Sequence, residues 1–238
     1  MKTMTLETFL DRLRGQLGER LVAVVQYGSS VTGEFVRERS DYNLLVVVDD
    51  LGLPTLRELR PIIAEWRKAG QPPPRLFTRK RLAESADVFP IELFDIRERH
   101  EILHGEDVVA DLELTTSHLR WQLESELKAK LIAVREGYLA AADKPADLLD
   151  FMLSTFVSFE VLMRAMLRLV DEAPAPPKSD APEHVAAKFG LDLTVFSELN
   201  ALRNGQTGRK SVSAEALFER YLRAVEGLVD TVNEHLVS

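Results

Sequence analysis

Val24–Asp50, VVQYGSSVTGEFVRERSDYNLLVVVDD, decides how the rest of the chain is read. Two apolar, β-branched runs, Leu21 to Val25 and Leu44 to Val48, bracket Gly28-Ser29-Ser30, Gly33 and then Asp41-Tyr42-Asn43. That pattern predicts two buried strands joined by a small-residue turn and a short helix over Val31 to Arg39. Such a unit brings polar groups to one end of a sheet. Gly28 permits a positive φ or a close approach to a ligand, Ser29 and Ser30 offer hydroxyl and N–H groups suited to a phosphate, and Asp41 opens the second strand where a metal ion could sit.

On these residues the chain resembles the DNA polymerase β-like nucleotidyltransferase superfamily. The signature there is a Gly-Ser pair followed, at loose spacing, by Asp-x-Asp or Asp-x-Glu on the next strand. Here the pair is Gly28-Ser29, and the second motif stands as Ser40-Asp41-Tyr42-Asn43-Leu44-Leu45-Val46-Val47. Where that family carries a second acid, this chain has Asn43. The resemblance implies an α+β architecture: a polymerase β-like mixed sheet with flanking helices over residues 1–111, followed by an all-α helical bundle over 112–238.

It also implies a chemistry: transfer of a nucleoside monophosphate from a nucleoside triphosphate to a hydroxyl of a small molecule or protein, with Mg2+ as cofactor. Two divalent ions serve such a transfer, and each needs hard oxygen ligands held close together. Asp41, Asn43 and a third acid would hold metal, and Gly28, Ser29 and Ser30 would bind the phosphates. In the family the third acid comes from a later strand beside the Asp-x-Asp strand. The run Val88-Phe89-Pro90-Ile91-Glu92-Leu93-Phe94-Asp95-Ile96 reads as that strand, with Glu92 the preferred third ligand or general base and Asp95 the runner-up. Alternation lets only one of these two acids face the site. An amide oxygen can ligate magnesium, but Asn43 removes one negative charge from the cage. The alternative function is therefore a catalytically impaired member that binds a nucleotide, or a partner protein.

The remaining elements follow in order. Leu6, Phe9, Leu10, Leu13 and Leu17 give helical spacing with Gly18 placed to end the helix, and Leu53 to Ala69 repeats the pattern with Pro61 as an internal irregularity. Gln71-Pro72-Pro73-Pro74 is a rigid extended connector into a strand at Arg75 to Thr78. Lys80 to Ala86 is a short helix, and Leu103-His104-Gly105-Glu106-Asp107 is a closing turn of a kind seen in small bacterial nucleotidyltransferases. His100 and His104 read as surface residues, since no zinc ligand pattern accompanies them.

From Leu112 the pattern becomes helical. One long helix carries Leu119 through Val134, a second spans Asp147 to Asp171 and is apolar on several sides, as suits the centre of a bundle. A Pro/Ala-rich loop, Glu172 to Glu183, precedes helices near His184 to Phe189, Leu193 to Leu202 and Ser213 to Leu236. Similar bundles follow the catalytic domain in antibiotic nucleotidyltransferases. The Arg-then-His pairing of HEPN ribonucleases is missing from this half, which disfavours that activity.

Composition narrows the classes further. The 238 residues, 45% hydrophobic and 29% charged, are those of an ordinary globular protein. A net charge of −8 argues against bulk nucleic-acid binding through phosphate neutralisation. Arg203, Arg209 and Lys210 read as a solvated loop. There is no cysteine, hence no disulfide or thiolate metal site, in agreement with a reducing compartment. The opening MKTMTLETFLDRLRGQLGER lacks the apolar core of a signal peptide, and Glu160, Arg164 and Arg168 interrupt the longest apolar region. The expectation is a cytoplasmic protein without a membrane span; a homo-oligomer is compatible with it.

Overall fold

The computed structural model describes residues 4–28, 31, 41–141, 144–170 and 175–235. It divides into two compact units, Met1–Leu114 and Thr115–Ser238.

The first unit begins with α1 (Leu6–Leu17), capped by Thr5, whose hydroxyl accepts from the Thr8 N–H, and stopped at Gly18. Strands β1 (Leu21–Tyr27) and β2 (Asn43–Val48) are the two apolar runs. Then come α2 (Leu53–Lys68), β3 (Arg75–Phe77), α3 (Arg79–Glu84), α4 (Pro90–Glu98) and β4 (His100–Gly105). The four strands lie in the order β3-β2-β1-β4. β1 is antiparallel to both β2 and β4, while β2 and β3 run parallel, so the sheet is mixed.

Each face of the sheet has its own core. Leu21, Val24, Leu44, Val46 and Val48 pack against Phe9 and Leu13 of α1 and Leu59, Ile62 and Trp66 of α2. Phe9 and Trp66 stack with ring centroids 4.5 Å apart. On the other face, Ala23, Val25, Leu45 and Val47 meet Leu82 of α3 and Leu93 and Ile96 of α4. This period-two division is what the alternation in β1 and β2 encodes. α2 continues through Pro61, burying Leu59, Ile62 and Trp66 while Leu56 is exposed.

Two elements differ from the sequence expectation. The Val88–Ile96 run is not a strand. Pro90 occupies the first turn of α4, where its missing N–H costs nothing, and the Leu93 N–H donates to the Phe89 carbonyl at 3.1 Å. The fourth strand is instead His100–Gly105, which takes in the first half of the Leu103–Asp107 segment expected as a closing turn. It edges the sheet and is mostly half-exposed, with Ile102 and Leu103 packed against the two cores between the polar His100, Glu101 and His104. Ser29 and Ser30 lie outside the described residues, as does the short helix expected between the first two strands, apart from Val31, whose N–H donates to the Gly28 carbonyl at 3.1 Å.

The second unit is all helical: α5 (Thr116–Ala141), α6 (Pro145–Val170), α7 (Ala181–Phe189), α8 (Thr194–Arg203) and α9 (Ala214–His235). α6 packs against the other four helices, which explains why it is apolar on several sides. Its Phe159 joins Phe196 and Tyr221 in an edge-to-face cluster, and Tyr221 and Thr155 hydroxyls lie 3.1 Å apart. No helix among the described residues is long and apolar enough to cross a membrane.

α6 also buries a carboxyl. Glu160 is 6% exposed, and burial pushes its pKa up to about 7, with Arg203 and Lys178 pulling the other way. A native pKa above the unfolded one means that the unfolded chain ionises first as pH rises. Stability is then greatest below the unfolded value, falls as pH rises through about 7, and is level above it. Glu160→Gln removes this cost: its Tm exceeds that of the wild type by about 2–6 °C at pH 8, and the gain vanishes in melts at pH 4.5.

Candidate functional site at the end of the sheet

The end of the sheet where β1 finishes and β2 and β4 start is assembled by register. Tyr27 pairs with Asn43 on one side and with His100 on the other. Val25 pairs with Leu45, and Leu45 pairs with Arg75. Residues two apart on a strand share a face and directly paired residues share it too, so Tyr27, Asn43 and Arg75 project to one side of the sheet. It is the side that carries α3 and α4, because Tyr27, Val25 and Leu45 belong to that core.

Gly28 follows Tyr27 with φ +82°, a conformation that side chains rarely take. A Cβ at Gly28 would stand 3.1 Å from Asn43 Nδ2, so the glycine also makes room for that amide. Asp41 is exposed and stands two residues before Asn43, just ahead of β2.

Tyr27 reports its neighbours. Burial raises its phenol above the ordinary value; Arg75 opposes this through charge and a hydrogen bond to the hydroxyl, and the Glu92 carboxylate raises it further. The phenol therefore keeps its proton at neutral pH, and Arg75 and Glu92 both lie within electrostatic reach of it. Glu92 reaches this place from the first turn of α4, not from a strand. Asp95 sits one turn further along the same helix.

Of the residues expected at the site, Gly28 and Asn43 are brought together, Glu92 comes within electrostatic reach of their neighbour Tyr27, and Ser29 and Ser30 are outside the described residues. Tyr27 and Arg75 join them, two residues that the motif does not include. The sequence signal for Tyr27 is its place directly before Gly28. For Arg75 there is no local signal, since only the pairing of β3 with β2 brings it into the row.

The strand next to β2 is β3, Arg75-Leu76-Phe77, and it contains no acid. A cage for paired divalent ions needs several anionic oxygens close together. Among the described residues no three His, Asp or Glu side chains gather in that way. With an amide at Asn43 and a guanidinium at Arg75, the donors among the described residues do not fit a pair of magnesium ions. His100 and His104 have protein partners: His100 Nε2 lies 3.2 Å from Asp107 Oδ2, and His104 Nδ1 accepts from Arg14 Nε at 3.3 Å.

No protein-family model matches the sequence, and no curated protein sequence matches it. Among solved structures, the chain is similar to spectinomycin adenyltransferase AAD(9) from Enterococcus faecialis, crystallised with ATP and spectinomycin. The TM-score is 0.58 at 13% identity, over 97% of this chain and 100% of that one. A mixed sheet flanked by helices, followed by a helical unit and superposable on an adenyltransferase along nearly its whole length, is the polymerase β-like nucleotidyltransferase fold.

Proposed function

We propose that the protein binds a nucleoside triphosphate at the Tyr27–Gly28 end of the sheet and transfers its nucleoside monophosphate to a hydroxyl of a small molecule or protein. The observation that carries this reading is the Gly28 turn: it is bare of side chain, held at φ +82° and in contact range of Asn43, within the fold of an adenyltransferase solved with ATP. Gly28, Ser29 and Ser30 grip the phosphate chain. The acceptor oxygen attacks the α-phosphorus, the bond from that phosphorus to the pyrophosphate oxygen breaks, and the hydroxyl proton passes to Glu92. Asp41 is a further acid at this end and orients the acceptor.

Asn43 and Arg75 favour a second reading, nucleotide binding without transfer, because they replace anionic oxygen with an amide and a cation. Labelled ATP, offered with a panel of small alcohols and proteins, separates the two. Pyrophosphate release that drops at least about 100-fold in Asp41→Asn supports transfer. Saturable ATP binding without release supports the second reading, and absence of ATP binding removes both.

A further inference from the structure

The β3 strand places a guanidinium where an ion cage would need a carboxylate. We propose that Arg75 is the phosphate-binding group of this end of the sheet, so that the protein holds a triphosphate by direct guanidinium contact, without a divalent ion. The inference rests on the nucleotide reading given above and assigns the source of positive charge within it.

Three observations support it. First, the register fixes Arg75 opposite Leu45, two residues along β2 from Asn43 and on the same face as Tyr27. Second, the Arg75 guanidinium lies within electrostatic and hydrogen-bonding reach of the hydroxyl of Tyr27, the residue directly before the Gly28 turn. A guanidinium carries five N–H donors, and one phenol oxygen leaves most of the fork for the paired oxygens of a phosphate. Third, Arg75 is exposed at the sheet end, so a ligand can reach it.

Charge points the same way. The described groups around Tyr27 and Asn43 include the carboxylates of Asp41 and Glu92, and a triphosphate entering beside them meets repulsion that some cation must offset. With Asn43 neutral and no acid on β3, the ion that usually performs this task is poorly held, and Arg75 performs it from within the chain. The two devices exclude one another at this position. A guanidinium in the row repels the divalent ion that a carboxylate there would attract.

Calorimetric titration of the full chain with ATP, and separately with inorganic tripolyphosphate, each in excess EDTA and in excess Mg2+, tests the proposal. The expected result is binding of both ligands in EDTA, weakened about 10- to 100-fold in Arg75→Met and partly retained in Arg75→Lys. Arg75→Glu combined with Asn43→Asp is expected to lose binding in EDTA and to regain it with Mg2+. ATP binding that needs Mg2+ and is unchanged in Arg75→Met overturns the role of Arg75 and leaves the nucleotide reading standing. Arg75-dependent binding of tripolyphosphate without binding of ATP upholds the anion site and ends the nucleotide reading. Binding of neither ligand under either condition overturns both. Because Arg75 is exposed, Arg75→Met is expected to melt with the wild type, and coincident melts confirm that any loss is local.

Discussion

Gly105→Ala lowers the melting temperature of the protein by about 10 °C or more, corresponding to about 3–5 kcal/mol lost from the first unit. Gly105 ends β4 with φ +76°, and a Cβ there would stand 1.9 Å from the Val22 carbonyl oxygen and 3.2 Å from the Ala23 Cα. Both obstacles are backbone of β1, the central partner strand, so no side-chain rotation relieves them. The chain must open the Ala23 to Gly105 pairing, and with it the strand that brings His100 to Tyr27. Thermal melts read the loss, and amide exchange shows it confined to β1 and β4. A variant within about 0.5 kcal/mol of the wild type would mean that β4 does not pair in this register.

Gly28→Val abolishes nucleotide binding, a loss beyond about 100-fold, at a stability cost of about 2 kcal/mol. The positive φ disfavours any side chain, a β-branched one most, and the new Cβ presses on Asn43 Nδ2 from 3.1 Å. The pressure falls on a side-chain end that can turn away, unlike the backbone beneath Gly105. The protein therefore stays folded while the turn changes shape. Calorimetry with ATP, beside melts of the same samples, checks both halves. Adding Asn43→Ala recovers part of the stability and none of the binding, since it relieves the crowding but leaves the strained turn. Unchanged affinity in Gly28→Val would place the nucleotide elsewhere.

Where an element is strongly periodic, its residues alone identify it: Phe9, Leu13 and Leu17 mark α1, and the unbroken Leu44–Val48 run marks a strand covered on both faces. Val88–Ile96 fails that test. It is nine residues long with apolar side chains in no single phase, so a strand entered through a proline and a helix begun by one look alike. The true edge strand, His100–Gly105, faces water along much of its length and offers no hydrophobic alternation to read. At the site, Gly28 and Asn43 are legible because they lie in one hairpin-like pairing. Glu92 lies on a helix and not on the strand its apolar run predicts, yet α4 packs on the Tyr27 side of the sheet and carries it within electrostatic reach of that residue. Arg75 could not be read, because its position is a property of a parallel pairing between segments thirty residues apart.

The connector ahead of β3 is anchored at two points: the Trp66 indole N–H donates to the Pro72 carbonyl at 2.9 Å, and Gln71 Oε1 accepts from the Tyr42 N–H at 2.9 Å. Between those anchors and Arg75 stand Pro73 and Pro74, whose restricted φ leaves the chain little slack. The segment works as a ruler. Deleting one proline would draw Leu76 into the place of Arg75 against Leu45 and turn a cation out of the row, so the electrical character of this end of the sheet is written in the length of a spacer as much as in the residue it delivers.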